Sequence, residues 1–281
     1  MAPLKDPAPL PFVKMSGSGN DFILMDNRRG LLDGMDLPTL ARIVCRPHTS
    51  VGADGLILIE ESAAADFRWQ FFNSDGSKAD MCGNGGRCAA RFAHLQGIAP
   101  AAMRFETGAG IVSAEVHGPT VKIQLTAPRD LNTELVIEVE GMEYSASFVN
   151  TGVPHTVIFV NDVGMVDVAK KGSLIRRHEA FLPGGTNVNF ASVIDPGRIR
   201  LRTYERGVEG ETLACGTGSA ATALVAWLRK FTGPRVAVET TGGEILTIHL
   251  EPGEGPEQPR VFLEGRTILV CHGAIEPEGY L

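Results

Sequence analysis

One spacing constrains this 281-residue chain more than any other feature. Cys82 sits in DMCGNGGRCAA and Cys215 in LACGTGSAATA, 133 positions apart. The same offset carries Gly83 to Gly216, Gly85 to Gly218 and Ala90 to Ala223. It carries Glu106 and Thr107 to Glu239 and Thr240, and Gly110 to Gly243. Upstream it carries Gly19 to Gly152 and Gly52 to Gly185. Coincident glycines and alanines arise easily by chance. A shared C-G-x-G followed by E-T at equal distance does not. The chain therefore reads as two homologous halves and not as a many-copy solenoid.

Each half has the same coarse plan. Short apolar or alternating runs predict strands at Phe22–Met25, Leu56–Ile59 and Trp69–Phe72, and again at Thr156–Val160 and Ile199–Tyr204. An alanine-rich amphipathic helix is expected after each C-G-x-G. The first covers Arg87–Leu95 and closes near Gly97; the second covers Ser219–Phe231 and closes at Gly233-Pro234. Hairpin-like segments follow at Met103–Leu125 and Val236–Leu250. EPGEGPEQPR, residues 251–260, reads as a loop, and Val261–Cys271 as a late strand or strands. Pro128 marks the expected junction. The expectation is an α/β (α+β) protein of two pseudo-twofold-related domains with a cleft between them. Each domain is a mixed or antiparallel sheet around a central helix. The boundaries expected are 1–127 and 128–268, with a C-terminal segment, 269–281, that could return to the first domain.

A cysteine just before a helix sits beside unpaired backbone N–H groups and the positive end of the helix dipole. That environment favours a thiolate and is expected to lower the thiol pKa. Glycines after it let a ligand approach the backbone closely, and the same N–H groups can hold a carboxylate. One such element is a weak signal. Two in a duplicated chain suit inversion of an amino-acid α-carbon. That reaction needs a base on one face, an acid on the other and stabilisation of the enolate-like charge. The two thiols would titrate as a pair. No lysine stands in a recognisable pyridoxal-phosphate context, and GNGGR is not a dinucleotide fingerprint. Neither cofactor nor metal is expected.

Composition narrows the alternatives. With 43% apolar and 21% charged residues the chain can bury a large core without staples. A formal net charge of −7 with no basic run argues against nucleic acid and anionic membrane as partners. No apolar run is long enough to span a bilayer. MAPLKDPAPLPFVKM has no apolar core of signal-peptide length, so a cytoplasmic protein is expected. The five cysteines are odd in number and widely spaced, which does not suggest a disulfide framework or structural zinc. Cys45, Cys88 and Cys271 carry no chemical signal, and Cys88 is expected to pack inside the helix.

GSGNDF (17–22), FNSDGSKADMCGNGGRC (72–88), GVPH (152–155), GTNVNF (185–190) and YERGVEGETLACGTG (204–218) together resemble the diaminopimelate epimerases. The resemblance covers nearly the whole chain in the right order. It implies a cofactor-independent isomerase that converts LL- to meso-diaminopimelate in lysine and peptidoglycan precursor biosynthesis. It also implies a homodimer acting on a small-molecule amino acid. It makes Cys82 and Cys215 the acid/base pair and His155 and Glu205 their assistants. Gly83, Asn84, Gly216 and Thr217 would bind the reacting carboxylate through the backbone. Asn20, Asn73, Asn187, Glu205 and Arg206 would hold the distal end, with the Arg206 fork on its carboxylate.

The chain departs from one version of the pattern at three places. Val153 stands where some members have asparagine, Gly55 where some have glutamine, and ERGVEGE is one residue longer than a shorter form. Three rival readings remain. A proline, hydroxyproline or histidine racemase is the nearest, although proline-racemase-like proteins tend to read CGHG at the first site. A thiol–disulfide protein using Cys82 and Cys215 and a non-catalytic binding module are the others.

Overall fold

The computed structural model describes residues 8–253 and 259–281. Positions 254–258 of the expected 251–260 loop lie outside the described residues. The chain divides into two compact units. One runs up to Ile123 and takes in Arg266–Leu281; the other is Gln124–Gly265.

The first unit opens with a hairpin of β1 (Leu10–Gly17) and β2 (Asn20–Asp26). Its two-residue loop, Ser18 and Gly19, has φ of 55° and 84°, the left-handed geometry that matches strand twist in such turns. Helix α1 (Leu37–Val44) crosses over to β3 (Gly55–Glu60), which pairs parallel with β2. The sequence of β3, GLILIE, is buried at every position, as a strand covered on both faces should be. Strand β4 (Phe67–Asn73) lies antiparallel to β3 and carries the short β5 (Lys78–Ala79). Helix α2 (Gly83–Leu95) then packs on β1, β2, β3 and β7. Strands β6 (Ala102–Thr107), β7 (Gly110–His117) and β8 (Thr120–Gln124) complete the sheet beyond β4.

The second unit repeats the plan. After β9 (Arg129–Val139) come β10 (Met142–Asn150), β11 (Pro154–Phe159), α3 (Val168–Arg176) and β12 (Asn187–Asp195). Then follow β13 (Arg198–Glu205), β14 (Gly210–Thr212), α4 (Gly216–Leu228), β15 (Arg235–Glu239), β16 (Ile245–Glu251) and β17 (Arg260–Ile275). Pairing is parallel for β11–β12 and β13–β15, as it is for β2–β3 and β4–β6. Helices α2 and α4 have 13 residues each. The paired glycines agree in conformation too. Gly19 and Gly152 have φ of 84° and 112°, Gly52 and Gly185 72° and 67°, Gly110 and Gly243 109° and 80°. All six backbones occupy the region that disfavours a side chain.

Each unit is closed by a strand that follows the strands of the other half. Strand β9 follows β8 in the chain and pairs with β10. The later part of β17 pairs with β1, from Leu10↔Ile275 to Gly17↔Thr267, while its first residues pair with β16. One apolar cluster joins Leu10, Ile23, Met25, Leu40, Leu56, Ile275 and Tyr280. Another joins Ile137, Ala146, Ile158, Ile175, Phe190 and Tyr204.

Both active-helix expectations need adjusting. Each helix starts at the glycine after its cysteine, four residues before Arg87 and three before Ser219. Helix α4 stops at Leu228, and it is buried from Gly218 to Ala226 without an exposed face. It is a central helix, not an amphipathic one. Among the described residues no helix is long and apolar enough to cross a membrane.

Candidate active site

Cys82 is the N-cap of α2. Its backbone is extended, with φ −147° and ψ 118°, and the Gly85 N–H donates to its Sγ at 3.4 Å. Asn84 donates through Nδ2 to Asn20 Oδ1 at 2.6 Å, which ties the helix start to the β1–β2 hairpin. Asn20 in turn donates to Asp54 Oδ2 at 3.0 Å, and the Asp21 N–H reaches the same oxygen at 3.1 Å. Arg87 is wholly buried and donates to the Ser18 hydroxyl, to Asn84 Oδ1 at 3.2 Å and to the Gly83 carbonyl at 3.3 Å. Asn73 lies opposite Gly55 in the β3–β4 ladder and donates to Ser77 Oγ at 2.9 Å. Asp54, Asn20 and Asn84 thus form one hydrogen-bonded chain at the start of α2, while the Asn73 side chain is held by Ser77.

The glycine at 55 has a local cause. A Cβ there would stand 2.5 Å from a Phe71 ring carbon and 2.8 Å from the Phe72 carbonyl oxygen. A side chain at that position requires both the Phe71 ring and the β4 backbone at Phe72 to shift. Val153 lies in the Thr151–Val153 connection between β10 and β11 and is 36% exposed. The extra residue of ERGVEGE falls in the turn from β13 to β14. There Glu209, at φ 57°, accepts from Arg176 and Arg177 of and beside α3, each at 2.8 Å.

Cys215 is the N-cap of α4 and 8% exposed. The Thr217 hydroxyl lies 3.6 Å from its Sγ. His155 of β11 is completely buried, with Nε2 2.9 Å from Thr217 Oγ1 and Nδ1 3.1 Å from Asn189 Nδ2. Asn187 ties the start of β11 to the residue after β13. Its Nδ2 donates to the Pro154 carbonyl at 3.0 Å, and its Oδ1 accepts the Arg206 backbone N–H at 2.8 Å. The Arg206 guanidinium reaches the Gly184 carbonyl at 3.1 Å. Glu205 Oε1 accepts from the Thr212 hydroxyl at 2.6 Å.

The expectation of lowered thiol pKa values is corrected by burial. It is the largest influence on both sulfurs and holds Cys82 above the ordinary thiol value, against the Gly85 and Asn84 amides and the Arg87 charge. It pushes Cys215 up to about 12, helped by the Glu205 carboxylate and opposed by the Thr217 hydroxyl and the Gly218 amide. The helix-start amides act in the expected direction but are outweighed. Burial also drives His155 down to about 3, with the Arg206 charge adding to it, so the ring is neutral at physiological pH. Cys88 is buried in α2, where its burial lifts it to about 12, and it is a packing residue.

The structure brings Asn20, expected at the distal end of the substrate, to the helix start that carries Cys82, Gly83 and Asn84, and sets His155, Thr217 and Glu205 around Cys215. Sequence reasoning did not single out Asp54, Arg87 or Asn189 as site residues. Arg87 lies inside the CGNGGRC motif and Asn189 inside GTNVNF, two positions after Asn187 and so on the same strand face.

Comparison with known sequences adds a second line. The family model described as diaminopimelate epimerase matches residues 12–129 and 147–259. The chain belongs to the diaminopimelate epimerase family. It is 48% identical over 278 residues to the diaminopimelate epimerase of Aquifex aeolicus (strain VF5), covering 95% of this chain and 98% of that one. With the diaminopimelate epimerase of Hydrogenobaculum sp. (strain Y04AAS1) it shares 47% identity over 277 residues, covering 94% and 98%. Among solved structures it resembles a Bacillus anthracis phenazine biosynthesis protein of the PhzF family, with a TM-score of 0.72 at 17% identity, covering 95% and 99%. A hydroxyproline epimerase from Agrobacterium vitis superposes with a TM-score of 0.69 at 16% identity, covering 99% and 96%. At those identities the two structures speak for the shared fold alone.

Proposed function

We propose that the protein epimerises diaminopimelate, interconverting its LL and meso forms, with Cys82 and Cys215 as the acid–base pair and no cofactor. The observation that supports this most is the duplicated helix start: each unit carries a cysteine N-cap followed by a glycine-rich turn, in a chain of this family. The reaction requires both sulfurs to reach one α-carbon, one from each face. A thiolate with a raised pKa is a strong base, which suits a weakly acidic α-proton. Amides at the helix starts would carry the carboxylate as negative charge develops on it. Gly83, Asn84, Gly216 and Thr217 take that role. Asn20, Asn73, Asn187, Glu205 and Arg206 would hold the far amino-acid group, Arg206 through its fork. The setting proposed is a cytoplasmic homodimer, with residues 1–127, 128–268 and 269–281 as its functional segments.

The test follows the α-proton. In deuterated water the protein should interconvert LL- and meso-diaminopimelate and build solvent deuterium into the product. Cys82→Ser and Cys215→Ser should each lower net epimerisation by ~100-fold or more. A single serine variant that epimerises at the parental rate would end the two-base reading. Exchange of proline but not diaminopimelate would transfer the protein to the racemase alternative. Turnover that requires a Cys82–Cys215 disulfide would transfer it to thiol–disulfide chemistry.

A further inference from the structure

The internal repeat breaks beneath the second helix start. In the first unit, Gly85, three residues after Cys82, lies against Ile57 and Phe22, which are apolar: a Cβ on it would stand 3.2 Å from Ile57 Cδ1 and 3.5 Å from Phe22 Cε1. The ladders β2–β3 and β11–β12 match Phe22 with His155, and Ile57 with Asn189. In the second unit a polar pair therefore stands where the first unit has an apolar one. A Cβ on Gly218 would lie 2.4 Å from Asn189 Oδ1 and 3.2 Å from Cys215 Sγ, so glycine is required for helix, amide and sulfur to approach.

The Asn189 side chain is completely buried and fully engaged. Its amide orientation is settled by its partners. The Thr156 carbonyl can only accept, so the atom 3.0 Å from it is Nδ2. The Thr203 hydroxyl, at 3.0 Å, donates to Oδ1. The second Nδ2 hydrogen points at His155 Nδ1, 3.1 Å away, so Nδ1 must accept. A neutral ring then carries its proton on Nε2 and donates it to Thr217 Oγ1 at 2.9 Å. Thr217 keeps one hydroxyl proton, and the remaining neighbour is Cys215 Sγ at 3.6 Å. The Thr151 hydroxyl holds the Thr217 carbonyl at 3.0 Å and steadies that turn.

We propose that Asn189 is a positioning residue for the reaction: it fixes His155 as the Nε2–H tautomer, so that the Thr217 hydroxyl gives its hydrogen bond to the Cys215 sulfur. The order of donation is Thr203, Asn189, His155, Thr217, Cys215. It supports the thiolate of Cys215 without a charge on the histidine. The first cysteine has no such relay, since Phe22 and Ile57 stand in its place. This rests on the acid–base role proposed above for Cys215.

The test uses the full chain and reads the relay without substrate. Imidazole 15N spectra, assigned by loss of the signal in His155→Gln, should show Nε2–H in the parent. A parent ring protonated on Nδ1 overturns the proposal. Asn189→Asp, which offers an acceptor to Nδ1, should switch the tautomer. It should also raise the midpoint pH of Cys215 alkylation, measured in a Cys82→Ser background, by about one unit. Thr217→Val should raise that midpoint similarly and leave the tautomer as it is, and it serves where the aspartate variant does not fold. A midpoint that neither variant moves overturns the proposal. In the Cys82-intact enzyme, Asn189→Asp should lower kcat by about tenfold or more, with KM changed less than ~3-fold. A parent protein inert towards diaminopimelate would refute the epimerase reading and leave the relay measurements standing.

Discussion

A guanidinium sealed from water keeps its charge where lone pairs replace lost hydration. Arg87 meets that condition with the Ser18 hydroxyl, the Asn84 amide oxygen and the Gly83 carbonyl. Its field favours the thiolate of Cys82. At the matching position of the second helix stands Ala220, and the charge acting on Cys215 is the Glu205 carboxylate, which opposes the thiolate. The two thiols should therefore respond in opposite senses. Arg87→Met should raise the alkylation midpoint of Cys82, read in a Cys215→Ser background, by roughly one pH unit. It should also cost about 1–3 kcal/mol of stability, because buried acceptors lose their donor. Glu205→Gln should lower the midpoint of Cys215 in a Cys82→Ser background. Shifts of the same sign would refute this asymmetry. The two cysteines were legible from the sequence because a duplicated motif repeats. Arg87 and Asn189 were not, because a buried polar side chain in a helix or strand looks like a surface one until its partners are known. Asn189, on β12, draws those partners from β11 and β13, and no sequence window spans them.

Strand β14 is only three residues long, and a side-chain clamp helps hold it to β13. Arg202 donates to Glu211 Oε1 at 2.7 Å and Oε2 at 2.6 Å, and its remaining nitrogen reaches the Val163 and Val166 carbonyls at 3.2 and 2.9 Å. The hydrogen bond from Arg202 holds the Glu211 carboxyl below its ordinary value, against a smaller opposing effect of burial. A carboxyl lowered on folding adds stability above its unfolded pKa and loses it as pH falls through the folded one. Glu211→Gln should thus cost about 1 kcal/mol at neutral pH, a modest figure because the pair is partly exposed. Denaturant melts of the two proteins should converge in acid below the carboxylate range. A gap that stays constant into acid would show that the ion pair is not its source. The two cysteine-capped helices show where pattern reading fails. Gly83, Gly85 and Gly86 argue against a helix start by propensity, each costing about 1 kcal/mol relative to alanine. Packing overrides them, since a Cβ on Gly86 would lie 2.5 Å from Ile123 Cδ1. Helix α4 ends at Leu228, short of the Phe231 that the pattern predicts, because Lys230, at φ 60°, ends the helix region without a glycine.

Duplication would suggest two halves able to fold alone, yet the closing strands are exchanged. The first unit takes β1's outer partner from the late part of β17, and with it Ile275 and Tyr280 of the apolar cluster around Leu10 and Met25. The Tyr280 hydroxyl also donates to the Ala8 carbonyl at 2.8 Å. A fragment of residues 1–127 keeps every motif of the first half but lacks this strand. Its β1 would present an unpaired edge. Each large apolar side chain left out removes about 1.5–3 kcal/mol of burial, and the lost ladder adds to that. Domains of this size hold only about 5–15 kcal/mol in total. The fragment should therefore lack a cooperative unfolding transition and show no amide protection along Leu10–Gly17. Adding a peptide of residues 259–281 should restore both, in proportion to peptide concentration, because binding to the folded state alone pulls the equilibrium towards it. The sequence register revealed the repeat but left the return of the C-terminal segment open, since nothing in the runs that form β9 and the late part of β17 states which unit they pair with. Protection of Leu10–Gly17 in the fragment without the peptide would mean that the first half closes on itself, and the exchanged strand would then be an addition to that unit and not a part of its fold.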